Sequence, residues 1–203
     1  MHSNIRLACL LVLLAGCDSG SEAQRLAAAK TLLEKKDPAG AVIELKNALA
    51  KNPESAEARY LLGRTLLQRG DGKAALQELR KAEEAGAAAD QVAPEIARAM
   101  LAAGEGARLI AQHRATVLGN AAAVADLNGS LATAYLLQGD GVQARQAAAA
   151  ALQAQPGDPL ASVLLARLDA SEGKLDAALS QLDAVLLRDK GQLAAGLAKG
   201  EIL

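Results

Sequence analysis

The sequence predicts an all-α solenoid of stacked helix hairpins that follows a lipoprotein signal peptide. Three observations carry this reading: a repeat with a period of about 34 residues, helical spacing of apolar residues inside each unit, and abundant alanine with almost no aromatic residues. Ala41, Leu45, Ala48 and Pro53 each stand one full period before Ala75, Leu79, Ala82 and Ala87. A fixed period of this length marks an architecture in which each unit buries its apolar face only against its neighbours.

Residues 1–16 read as a secretory signal, with Arg6 followed by an apolar run from Leu7 to Leu14. That run is far shorter than the roughly 20 helical residues needed to cross a bilayer core. Leu13-Leu14-Ala15-Gly16-Cys17 closes it. This is the pattern of a bacterial lipobox, in which the Cys17 thiol takes a diacylglycerol and becomes the new N-terminus. The alternative is a plain signal peptide that happens to end at a cysteine. Residues 17–21 then serve as the lipidated N-terminus and a short tether. Asp18 favours the periplasmic face of the inner membrane, with the outer membrane as the other destination.

Composition excludes several classes. The chain carries 22 basic and 23 acidic residues, and loss of the leader removes only Arg6 from this balance. That is no footprint for nucleic acid. Cys9 leaves with the leader and Cys17 is lipidated, so no thiol pair remains for a disulfide framework.

Five units follow from the period: 22–55, 56–89, 90–124, 125–158 and 159–192, with an incomplete sixth at 193–203. In the second unit Leu61, Leu62, Leu66 and Leu67 lie on one helix, and Leu76, Leu79 and Ala82 on another. Turns join the helices at Lys35-Lys36-Asp37, Arg69-Gly70-Asp71, Gly104-Glu105, Gly139-Asp140 and Gly173-Lys174. Small residues mark the helix crossings: Ala29, Gly63, Ala97, Ala132 and Ala166 on first helices, Ala41, Ala75, Ala144 and Ala178 on second helices. Pro53 and Pro156 stop second helices. The third unit is degenerate, with Leu109 in place of the small residue and an irregular stretch through His113. Leu193, Leu197, Ile202 and Leu203 belong to a first helix without its partner. A frayed segment or an exposed apolar patch is expected there, as in a fragment of a longer array.

These positions resemble the tetratricopeptide repeat (TPR): small residues at the eighth and twentieth positions, Ala48, Ala82 and Ala151 at the twenty-seventh, and proline at the thirty-second in two units. Tyr135 occupies the eleventh position of the fourth unit, where the family favours tyrosine. No unit carries the family's early tryptophan. The resemblance implies a right-handed superhelix of helix hairpins, with first helices lining the concave side. Over roughly residues 7–103, the lipobox with the segments 41–49 and 56–63 resembles the PrsT family of repeat lipoproteins associated with the PEP-CTERM/exosortase system. Members of that family are much longer arrays. This resemblance implies an envelope role near exopolysaccharide export and protein sorting.

Nothing in the sequence assembles a catalytic site. Beyond the leader the single histidine is His113, there is no Cys/His cluster for zinc, and no phosphate-cradling loop has the required spacing. No catalytic residue, metal or cofactor is expected. The TPR resemblance does imply a groove, lined at the ninth position by Lys30, Arg64, Arg98, Thr133 and Arg167. Tyr60 and Gln68 join it from the second unit. Read functionally, the four cations form a ladder for an anionic or carboxylate-bearing partner. Read structurally, each is solvated or paired along its own helix, as Lys30 with Glu34. The groove position that is asparagine in chaperone-binding clamps is basic here, so that activity is not implied. The leading expectation is a membrane-anchored scaffold for protein partners of an envelope export or sorting machine. Two alternatives stand beside it: a module for anionic polysaccharide, and a repeat lipoprotein of pilus or outer-membrane assembly.

Overall fold

A computed structural model describes residues 20–203. The leader, Cys17 and Asp18 lie outside the described residues. Among these residues there are helices α1 to α11 and no strands. The helices are α1 (Glu22–Glu34), α2 (Pro38–Lys51), α3 (Ala56–Gln68), α4 (Gly72–Glu84), α5 (Ala89–Ala102) and α6 (Gly106–His113), then α7 (Ala121–Leu137), α8 (Gly141–Ala154), α9 (Pro159–Ser171), α10 (Leu175–Arg188) and α11 (Leu193–Ile202). Each odd-numbered helix up to α9 packs on the even-numbered one that follows, and each pair packs on the next. The result is an α-solenoid. No helix of the described residues is long and apolar enough to cross a membrane.

Local chemistry starts and stops these helices. Ser21 and Gln24 form a reciprocal capping box at α1, with bonds of 3.3 and 2.9 Å. Asp37, Asp71 and Asp140 each cap a second helix, accepting from the backbone N–H of Gly40, Ala74 and Gln143. The aspartate of the hairpin turn is therefore a helix cap as well as a turn residue. Each turn also needs one residue in the left-handed region just before the cap. Gly70 supplies it at φ 84°, whereas the first hairpin places Lys36 there at φ 58°. In both turns the next N–H donates back to the preceding helix, Asp37 to the Leu32 carbonyl and Asp71 to that of Leu66, which closes the helix end.

Among the described residues the core forms three clusters. One joins Leu26, Val42, Leu45 and Leu62 at the N-terminal end. A central one runs from Ala75 to Leu164. A third gathers Val163, Ala166, Leu182, Val185 and Ala198. Ala29, Ala41, Ala75, Ala97, Ala132, Ala144, Ala166 and Ala178 are all buried, and Gly63 with them. Alanine at the crossings lets helices approach closely, and the leucines fill the space between.

The third hairpin departs from regularity in a specific way. Helix α6 has only 8 residues, against 13 or 14 in the other second helices. Helix α5 is instead enclosed nearly all round, with Val92, Ile96, Ala97 and Met100 buried, and Leu109 of α6 is fully buried. Helix α7 begins at Ala121, capped by the Asn120 side chain, so the expected boundary at 124/125 falls inside its first turns. The unit is shortened rather than loosely packed. At the far end α11 is a formed helix. Ala195 and Ala198 are buried on the third cluster, while Leu193, Leu197 and Leu203 face outward.

Candidate partner-binding face

Tyr60, Arg64 and Gln68 stand four residues apart on α3 and form one stripe along that helix. The Arg64 guanidinium carbon lies 5.5 Å from the centre of the Tyr60 ring, a cation–π distance. Two clefts flank the stripe. One of about 180 Å³ between α1 and α3 is lined by Leu33, Leu61, Arg64, Thr65 and Gln68. The other, of about 340 Å³, lies towards α5 and is lined by Tyr60, Glu57, Leu61, Ala87 and Gln91. Tyr60 thus lines one cleft, and Arg64 and Gln68 line the other.

The four cations expected in the groove all carry acidic partners. Lys30 Nζ of α1 lies 2.6 Å from Glu57 of α3. Arg64 Nε lies 3.2 Å from Glu95 of α5. Arg98 reaches back to the same Glu95 at 3.1 Å and forward to Asp126 of α7 at 2.6 Å. Arg167 of α9 lies 3.2 Å from Glu201 of α11. Lys30 thus pairs with the next hairpin and not with Glu34 of its own helix. Each cation reaches a carboxylate on the following first helix. The sequence places Thr133 where α7 would continue the row, and its hydroxyl donates to the Gly129 carbonyl of its own helix at 2.9 Å. Arg167 therefore belongs to a separate rung.

Electrostatics reinforce the pairing. Burial works against the charge on Arg98, but Glu95 and Asp126 outweigh it, and the net pKa shift is upward. Glu95 is itself buried and serves two guanidinium groups. The face is a charge-balanced zipper, not a bare basic ladder.

Sequence reasoning missed the acidic half of this zipper. A signal existed, because Glu57 and Asp126 both occupy the second position of their units. It also missed a second repeated pair. Arg25 meets Glu44 at 3.0 Å and Arg59 meets Glu78 at 2.5 Å, both within a hairpin and related by one repeat period. Arg59 additionally donates to the Pro53 carbonyl, which ties down the linker before α3. Further along, Arg145 of α8 spans Asp169 and Glu172 at 2.9 and 2.8 Å, and Gln181 of α10 donates to Asp169 at 2.7 Å.

His113 ends α6 and is partly buried. Burial lowers its pKa, Glu83 raises it and Arg80 lowers it, for a net downward shift. No group of three or more His, Cys, Asp or Glu side chains among the described residues is placed to hold a metal ion.

Comparison with solved structures agrees with this geometry. A thermophilic TPR protein of Thermus thermophilus superposes with a TM-score of 0.66 at 21% identity, covering 90% of this chain and 98% of its own. The pilF protein of Pseudomonas aeruginosa gives 0.68 at 17% identity, covering 89% and 82%. YrrB, a TPR protein with an unusual peptide-binding site, gives 0.57 at 17% identity, covering 87% and 91%. At these identities the likeness concerns the fold. No curated protein matches the sequence. Residues 26–94 and 117–200 match the tetratricopeptide repeat, the first segment ending inside α5 and the second beginning just before α7. On its sequence matches and its stacked helix hairpins alike, the chain belongs to the tetratricopeptide-repeat family.

Proposed function

We propose that this chain is a lipid-anchored, non-catalytic scaffold of the bacterial envelope that docks a protein partner on the stripe Tyr60, Arg64 and Gln68. The observation that carries the docking site is the stacking of Arg64 over Tyr60 between two clefts. Tyrosine and arginine are among the side chains enriched at interface hot spots. The cations Lys30, Arg98 and Arg167 extend the face, each with its acidic partner beside it. A protein segment of mixed charge meets such a zipper by exchanging partners with it. A polyanionic polysaccharide would have to meet the carboxylates of Glu57, Glu95 and Asp126 as well, and this favours the protein reading. The lipobox at Leu13 to Cys17 supports anchoring at the membrane, and Asp18 supports the inner one. The resemblance of the N-terminal segments supports a place beside PEP-CTERM sorting and exopolysaccharide export, with pilus or outer-membrane assembly as the other setting.

The test is site-specific photocrosslinking from position 68 in intact cells. An exosortase-system protein should be captured there, and Arg64→Glu with Arg98→Glu should abolish its capture. Cys17→Ser should remove palmitate labelling and release the chain from the membrane fraction. Equal crosslinking by the double variant would overturn the docking face, and persistent palmitate labelling would overturn the anchor.

A further inference from the structure

The shortened third hairpin leaves a notch on the side of the second helices. It begins where α6 stops, because Arg114, the residue that caps α6, lines it. Its volume is about 200 Å³. Leu131 and Ala147 form a buried floor, and Tyr135, Gln143 and Gln146 stand around it. Two features mark it. First, the side chains of Arg114, Tyr135, Gln143 and Gln146 make no hydrogen bond or ion pair with any described residue. Second, no acidic residue lines the notch, whereas Lys30, Arg64, Arg98, Arg145 and Arg167 all have carboxylates within reach.

We infer that this notch is a second binding site, distinct from the α3 stripe, for an extended peptide segment that carries a carboxylate. The chemistry of the lining names the ligand. Arg114 offers a planar fork that matches a carboxylate bidentately. Each glutamine side chain offers both a donor and an acceptor, the complement of a peptide unit's C=O and N–H. Tyr135 adds an amphipathic ring above an apolar floor. In a full-length α6 the chain would continue as helix where the notch now opens.

The site is tested with two fluorescein-labelled peptides, Ala-Glu-Ala-Asp-Ala and Ala-Gln-Ala-Asn-Ala, both amidated at the C-terminus. Fluorescence anisotropy at low salt should show the acidic peptide binding about tenfold tighter, the scale of one charge-assisted contact. Amide chemical-shift changes should centre on residues 113–115 and 143–150. Arg114→Gln changes an exposed residue and leaves the fold intact, so it should remove the preference between the two peptides. Gln146→Ala should weaken both peptides alike. Arg64→Glu with Arg98→Glu should leave this binding unchanged even where it abolishes docking on the α3 stripe. Equal binding of the two peptides, an undiminished preference in Arg114→Gln, or shift changes confined to α1 and α3 would each overturn the inference.

Discussion

Gly63 lies so close to Leu79 that a methyl group added at Gly63 would sit 2.6 Å from the Leu79 Cγ. Leu79 is fully buried and has nowhere to withdraw. The same imagined methyl would lie 3.2 Å from the Ala75 carbonyl oxygen, so helix α4 leaves no room for a side chain at position 63. Helix propensity alone would favour alanine at position 63. The crossing overrides it.

Overpacking this crossing should be costly. Ala75→Leu is expected to destabilise the chain by about 1–3 kcal/mol, whereas Gln77→Leu, on the exposed face of the same helix, should fall within about 0.5 kcal/mol of the parent. Urea denaturation of both variants checks this. Equal losses would show that the helix faces are assigned wrongly.

The first hairpin turn carries avoidable strain. Lys36 adopts a left-handed conformation that costs an L-residue about 1–2 kcal/mol. Lys36→Gly should therefore raise stability by about 1 kcal/mol, after the added freedom of glycine in the unfolded chain is subtracted. Gly70→Ala, at the matching turn, should lower it by a similar amount. Thermal melts of the two variants should move in opposite directions.

Burial should rank the ion pairs. The Arg59 and Glu78 side chains are 17% and 15% exposed, whereas Lys30 and Glu57 are 52% and 53% exposed. Double-mutant cycles should give about 1.5–3 kcal/mol for the sheltered pair, the scale of hydrogen bonds to charged groups. The open pair should give about 0.2–1 kcal/mol and fade as salt is raised. The reverse order would mean that the hairpins are held at their rims.

Stability should fall on mild acidification. His113 has a lowered pKa in the folded chain, so the unfolded chain binds the proton first as pH drops. This contribution is complete above the unfolded value of about 6.5 and is lost progressively below it. His113→Gln should flatten the dependence of the urea midpoint on pH just below that value. An unchanged slope would place the titrating group elsewhere.

The repeat was legible because its rules are local. The period sets the hairpins, and the small residues at Gly63 and Ala75 announce a close crossing. The acidic half of the zipper was harder to read because its central acid leaves the register. Lys30–Glu57 and Arg98–Asp126 both run from the ninth position of one unit to the second of the next, whereas Arg64 finds its acid at Glu95, the sixth position of the third unit. Which carboxylate of the next hairpin comes within reach is a tertiary quantity that no single unit encodes. The third hairpin was legible as irregular, but the form of its irregularity was not. Helix α6 stops at His113, and Asn120 starts α7 early, because Leu109 and the enclosed α5 already fill the interior.

The division of the core also shapes how the chain comes apart. Helix α9 gives Ala161 and Leu164 to the central cluster, yet Val163 and Ala166 to the last one. It is a hinge post shared between two rooms. The tail beyond it, α10 and α11, can melt and leave the central room shut, and the first hairpin can do the same at the other end. The described array should then open in parts rather than as a single block. The stretch from α4 to α8, which holds most of the central cluster, should be the last to open, and it carries the notch at Arg114.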